Sequence, residues 1–205
     1  MAEDHKDLAD TINNIAVRNI ANICRDLNCW LIHISTDYVF DGLSESPYKE
    51  SDNARPIGFY GLSKLNGEKS VISSGCLFLI LRTSWVYSEY GSNFLKTILK
   101  LSQNKKDLRI VSDQISCPTY SQDVAKTIVK ILPRLRLSKS LSGIYHFSGN
   151  SAKSWFQFSK DIIRNAFDLK IISYKPNVVS ITSSEFLTKA KRPMNSQLDC
   201  TKFTT

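Results

Sequence analysis

Two apolar runs constrain this chain more than anything else in it. Cys29–Ile34 and Cys76–Leu81 each read as a strand buried on both faces. Between them the pattern from Tyr60 to about Ser73 is helical, and Gly75 breaks it. A strand, a helix and a strand form a β-α-β unit, and such units build parallel sheets. In open α/β sheets, ligands sit beyond the C-terminal ends of the strands. Thr36 stands at that end of the first run, and Arg82-Thr83-Ser84-Trp85 at that end of the second.

The flanking sequence supplies the other elements. Ile12, Ile15, Ala16, Ile20 and Ile23 recur at helical spacing, so Leu8 to Leu27 is expected to be a helix with Asn28 at its C-cap. From Thr36 to Pro56 the chain is polar and rich in turn residues. A loop this long in a compact domain is usually functional. Ser92 is expected to cap a helix through Leu101, and Ser121 a helix that Pro133 ends at Leu132. Lys130 to Ser142 reads as a basic connector. Ser154-Trp155-Phe156-Gln157 fits a capping box for a helix through Phe167. Further strands are expected at Leu108–Val111, Gly143–Ser148 and Ile171–Tyr174.

Composition narrows the function. At 42% hydrophobic the 205 residues can bury an ordinary core. No apolar run approaches the roughly 18 residues of a membrane span. The charged stretch Met1 to Asp7 lacks a signal-peptide core, so a cytoplasmic location is expected, with no membrane partner. Five cysteines without a C-x-x-C pair point to buried free thiols, and three scattered histidines give no metal spacing. The net charge of +8 is dispersed and lacks interleaved aromatics. It reads as solvated surface with some attraction for an anionic nucleotide, and no nucleic-acid partner is expected.

Tyr60 and Lys64 are four apart and share a helix face. A phenol near pKa ~10 exchanges protons poorly at neutral pH, and a neighbouring ammonium favours its ionised form. With a Thr36 hydroxyl on the carbonyl, such a set could reduce a ketone with hydride from a nicotinamide. Tyr-x-x-x-Lys alone more often marks only an amphipathic helix start. Ser35-Thr36-Asp37-Tyr38-Val39-Phe40-Asp41-Gly42 makes the pattern far more specific.

With that stretch the chain resembles the extended short-chain dehydrogenase/reductases. Among them it is most similar to the dTDP-4-dehydrorhamnose reductase family. Arg82-Thr83-Ser84-Trp85-Val86-Tyr87, Asn93-Phe94, Asp113-Gln114, Pro118-Thr119 and Arg192-Pro193-Met194-Asn195-Ser196 follow in family order. The resemblance implies an α/β fold with a Rossmann-type parallel sheet over residues 1–148 and part of a substrate lobe over 149–205. It implies NADPH-dependent reduction (NADH being the alternative) of dTDP-6-deoxy-L-lyxo-4-hexulose to dTDP-L-rhamnose, a step in polysaccharide biosynthesis. Tyr60 would protonate the product oxygen, and Lys64 would lower its pKa and bind the nicotinamide ribose. Thr36 would orient the carbonyl. Asp37, Tyr38 and Trp85 would face the sugar, and Arg192 would reach the diphosphate. The family's magnesium and homodimer come with the resemblance, although no residue pattern here demands either. The family's Gly-x-x-Gly-x-x-Gly turn does not occur, and only eight glycines are present. The chain therefore reads as a piece of a reductase without its first strands and its closing segment, with weak cofactor binding and low turnover expected. Two rival readings are a non-catalytic partner protein like the methionine adenosyltransferase β subunit, and a nucleic-acid-binding basic surface.

Overall fold

The computed structural model describes residues 2–204. The chain begins with α1 (Lys6–Asp10), a π-helical turn (Thr11–Ile15) and α2 (Ala16–Asp26). The expected single helix thus holds one wide turn. Its extra residue directs Asn13 and Asn14 at a later helix, where Asn13 Nδ2 donates to Ser63 Oγ (3.1 Å) and Ser70 Oγ donates to Asn14 Oδ1 (2.7 Å). Then come β1 (Trp30–Thr36), a 3₁₀ turn (Asp37–Val39), α3 (Phe59–Ser74), β2 (Leu77–Thr83) and β3 (Val86–Tyr87). The middle holds α4 (Phe94–Asn104), β4 (Asp107–Val111), β5 (Ile115–Ser116), β6 (Thr119–Tyr120) and α5 (Ser121–Leu137). The remainder is β7 (Gly143–His146), β8 (Lys153–Ser154), α6 (Trp155–Asp168), β9 (Asn177–Ile181) and α7 (Thr201–Thr204).

The main sheet is parallel throughout, in the order β1-β2-β7. This is the α/β arrangement expected from the two apolar runs. Register pairs Thr36 with Thr83 and Arg82 with His146, so the C-terminal ends finish level and share one rim. Leu79, Ile80 and Leu81 of the central strand are fully buried. Ala21 and Cys24 of α2 and Val71 of α3 pack with Cys76 and Ile80 beside them. A second core joins Ile98 of α4 and Leu108 of β4 to Phe158, Ile162, Ile163 and Ala166 of α6. There β4 pairs in parallel with β9.

A buried charge network lies under the rim. Glu68 of α3 receives Arg82 Nε and Nη2 at 3.0 and 2.7 Å, and Ser35 Oγ also donates to it. The Arg82 guanidinium lies over the Phe40 ring, which stacks on Tyr48. His146 Nδ1 lies 3.0 Å from the Tyr48 carbonyl and its Nε2 lies 3.5 Å from Arg82 Nη1. That geometry suits a neutral imidazole with its proton on Nδ1. Burial, then the Arg82 charge, pushes its pKa down to about 4.

Several boundaries differ from the sequence expectation. Asn93, not Ser92, caps α4: its Oδ1 accepts from Lys96 N–H while its Nδ2 donates to the Ser88 carbonyl. The α5 helix runs through Pro133 to Leu137, and Ser121 is its first residue rather than its cap. Leu135, 2% exposed, docks the last turn, and this burial outweighs the missing proline N–H. Residues 171–174 form no strand. Lys170, at φ +58°, turns the chain around the end of α6, and Ile171 N–H bonds back to the Ala166 carbonyl. The strand forms later, as β9. β7 stops at His146, two residues before Ser148. The expected capping box of α6 and the left-handed Asn28 (φ +47°) are both present.

Candidate active site

At the rim of the main sheet an open hollow of about 760 Å³ is lined by Thr36, Asp37, Tyr38, Tyr60, Trp85, Phe94, Trp155 and Arg192. It gathers six of the seven residues singled out in the sequence. The seventh, Lys64, lies one helical turn below Tyr60, and its ammonium donates to the Ile34 carbonyl at 2.7 Å.

Local sequence explains the placement. Thr36 ends β1 in extended conformation, and its Oγ1 accepts from the Tyr38 N–H (3.2 Å), starting the 3₁₀ turn. Tyr60 is the second residue of α3. Gly61 follows because a Cβ there would lie 2.1 Å from the Tyr38 carbonyl oxygen. Its absence lets the helix start approach the turn, bringing the Tyr38 and Tyr60 rings edge to face at 6.1 Å.

The titrating groups are unusually placed. Asp37, 2% exposed, turns its carboxylate into the protein rather than toward solvent. Ser196 Oγ donates at 2.5 Å, Thr36 Oγ1 at 3.1 Å and Ser116 Oγ at 3.5 Å. Burial pushes its pKa up to about 7 despite these bonds. Tyr60 is 39% exposed, yet the surroundings of its phenol raise its pKa through burial; a hydrogen bond to Thr36 opposes the rise and the Asp37 charge adds to it. Burial lowers the Lys64 pKa, which the Glu68 charge partly restores. The expected lowering of the phenol by Lys64 is therefore not what the structure holds. The ammonium is engaged with Ile34, and desolvation dominates at Tyr60. Burial and Asp37 also hold the Tyr38 phenol well above its usual range, while Arg192 acts the other way.

The opposite wall is aromatic. Trp85 has a left-handed backbone, φ +44°, and stacks on Trp155 with centroids 3.3 Å apart and planes within 6°. Phe94 packs on Trp155 at 4.4 Å, and Trp155 Nε1 donates to Gln114 Oε1 at 3.1 Å. Gln114 Nε2 in turn donates to Ser183 Oγ. A neighbouring hollow of about 450 Å³ shares Phe94, Trp155 and Arg192 and adds Arg109, Gln114 and Phe186. Sequence reading missed Phe94 and Trp155 as lining residues. The available signal was an aromatic residue immediately after a helix cap, Asn93 and Ser154 respectively.

A family defined as the RmlD substrate binding domain matches residues 1–205. The chain is 41% identical to the dTDP-4-dehydrorhamnose reductase of Aggregatibacter actinomycetemcomitans, over 95% of this chain and 66% of that protein. The chain belongs to the dTDP-4-dehydrorhamnose reductase family. The Sinorhizobium fredii reductase is also 41% identical, over 98% of this chain and 68% of that protein. A solved dTDP-4-dehydrorhamnose reductase from Bacillus anthracis, in complex with NADP, superimposes with a TM-score of 0.90 at 38% identity, covering 99% of this chain and 68% of that one. The chain thus spans about two thirds of the length of these relatives.

The residues present fit part of a nicotinamide dinucleotide. The Lys64 ammonium uses one of its three donors on Ile34, and Tyr60, one turn away, lines the hollow. Among the described residues no glycine-rich turn joins a strand to a helix in the manner that holds a pyrophosphate. Nor do the described residues contain a cluster of three or more His, Cys, Asp or Glu side chains able to hold a metal ion. No described helix is long and apolar enough to cross a membrane.

Proposed function

We propose that this chain carries the reducing site of an NADPH-dependent nucleotide-sugar 4-ketoreductase acting on dTDP-4-dehydrorhamnose to give dTDP-L-rhamnose. The observation that carries the reading is the gathering of Thr36, Tyr60, Trp85 and Arg192 around one hollow at the strand ends. Bound NADPH would supply the hydride. The Thr36 hydroxyl, turning from Asp37 Oδ1, and the Tyr60 phenol donate to the carbonyl oxygen, and Tyr60 passes its proton to that oxygen as the C–O double bond becomes single. A phenol whose pKa is raised stays protonated at neutral pH, as this role requires. Lys64, whose ammonium is anchored on the Ile34 carbonyl, holds the ribose. Trp85 offers an apolar face to the hexose, and Arg192, common to both hollows, meets the diphosphate. Asp37 supports the site from beneath, since its Oδ2 is committed to Ser116 and Ser196. In this reading the substrate lobe takes residues 149–205, with α4 and β4 of the preceding segment packed against its α6 and β9.

An NADPH titration followed by tryptophan fluorescence, then a turnover assay with the keto-sugar, tests this. Weak but saturable binding and low turnover are expected, with Tyr60→Phe losing at least a further ~10²-fold in turnover. Wild-type turnover by Tyr60→Phe would remove the assigned acid. Failure of the chain to bind NADPH or to reduce the sugar would overturn the reading. The same assay separates it from a non-catalytic partner protein.

A further inference from the structure

Three of the five cysteines gather at the end of the main sheet opposite the hollow. After α2 the Asn28 N–H bonds the Arg25 carbonyl (3.0 Å) and the Cys29 N–H bonds the Cys24 carbonyl (2.9 Å). With Asn28 at φ +47°, these two bonds form a Schellman motif, in which the third helical residue from the end and the second residue beyond it bring their side chains together. Here both are cysteines, so the motif brings their side chains to the same side of the turn. Backbone dimensions bound their separation. A carbonyl oxygen lies about 2.4 Å from its own Cα, and an amide nitrogen about 1.5 Å from its own. Across a 2.9 Å hydrogen bond the two Cα atoms are therefore at most about 6.8 Å apart, within the range disulfides span. Cys29 is exposed and Cys24 buried. Cys76 precedes Leu77, the register partner of Trp30, and shares a core cluster with Cys24.

We propose that Cys24 and Cys29 are a reversible peroxide-oxidation site that closes a disulfide across the α2–β1 turn. The exposed Cys29 thiolate attacks a peroxide oxygen. The S–O bond forms, the O–O bond breaks and one water leaves after protonation, giving a sulfenic acid. The Cys24 sulfur then attacks Cys29. The S–O bond breaks, the S–S bond forms and a second water leaves, so two thiols reduce one hydrogen peroxide to two waters. Burial raises the Cys24 thiol, and the charge of Cys29 adds to the rise. The motif holds the two sulfurs together, which favours this closure over oxidation by a second peroxide. A dithiol reductant restores both thiols.

Trypsin cleaves after Arg18, Arg25, Lys49, Lys69 and Arg82, so the three cysteines fall in separate peptides, 19–25, 26–49 and 70–82. The purified full chain is treated with hydrogen peroxide, its free thiols are alkylated, and the digest is read by mass spectrometry. Peptides 19–25 and 26–49 are expected as one linked species, lighter by two hydrogens than their sum and released by dithiothreitol, while 70–82 stays alkylatable. In Cys24→Ser, Cys29 is expected to persist as a sulfenic acid trapped by dimedone. In Cys29→Ser, Cys24 is expected to remain alkylatable under the same peroxide. A link from 26–49 to 70–82, over-oxidation of Cys29 beside a free Cys24, or full alkylation of both would each overturn the proposal.

Discussion

At the scale of single residues the site is governed by desolvation. Asp37 is the clearest case, because among the described residues hydroxyls and a backbone amide, with no ion-pair partner, answer its buried carboxylate. Its folded pKa of about 7 lies above the 3.8 of an unperturbed aspartate. The protonated form is thus favoured by folding. Its contribution is fully present below pH 3.8 and is lost as pH rises through about 7. Asp37→Asn keeps the shape and removes the titration. The stability of the natural chain minus that of Asp37→Asn, measured by thermal melts, is expected to fall between pH 4 and 7 and to level off above. His33 and His146, both pushed down to about 4, have the opposite sign. Their contributions are present above pH 6.5 and lost as pH falls, and the subtraction cancels them. A flat difference would mean that Asp37 is ionised throughout.

At the scale of elements, local grammar was legible and long-range packing was not. The strands ending at Thr36 and Thr83, the helix carrying Tyr60 and Lys64, and the capping box at Ser154 follow from patterns within a few residues of each other. Trp155 could not be assigned to the hollow that way. Its position depends on how α6 meets α4 and on a Gln114 bond across 41 residues. The Glu68–Arg82 pair beneath the rim is likewise a meeting of α3 with β2. Pro133 misled for the same reason: the rule that proline stops a helix is local, and the buried Leu135 that overrides it is not. Pro133→Ala should restore an N–H to the helix interior and stabilise the chain by up to about 3 kcal/mol. Ser154→Ala should cost ~1 kcal/mol, a fall of roughly 2–4 °C in Tm for a chain of this size. Differential scanning calorimetry of the two variants reads both, and a stabilised Ser154→Ala would contradict the cap.

At the scale of the whole molecule, the hollow lies where the parallel sheet meets the second core, with Thr36 and Tyr60 from one side and Phe94 and Trp155 from the other. The first helical rod has a different character. Leu8, Ile12, Ile20, Ile23 and Leu27 are exposed along the first helical rod, and β1 has a strand partner on one edge only among the described residues. Exposed apolar rows beside an open edge promote self-association. Light scattering is expected to show mass rising with concentration, and an Ile20→Lys, Ile23→Lys double variant should suppress the rise. The strand order β1-β2-β7 also sets a clock for solvent. Amides of the central β2 meet a neighbouring strand or, at Phe78, the Ser142 hydroxyl, whereas along β1 only every second amide is covered. In deuterated buffer β2 should label slowly and evenly, while β1 should label in a fast-slow-fast alternation from Leu31 to Thr36, a two-residue rhythm written into time rather than into the sequence.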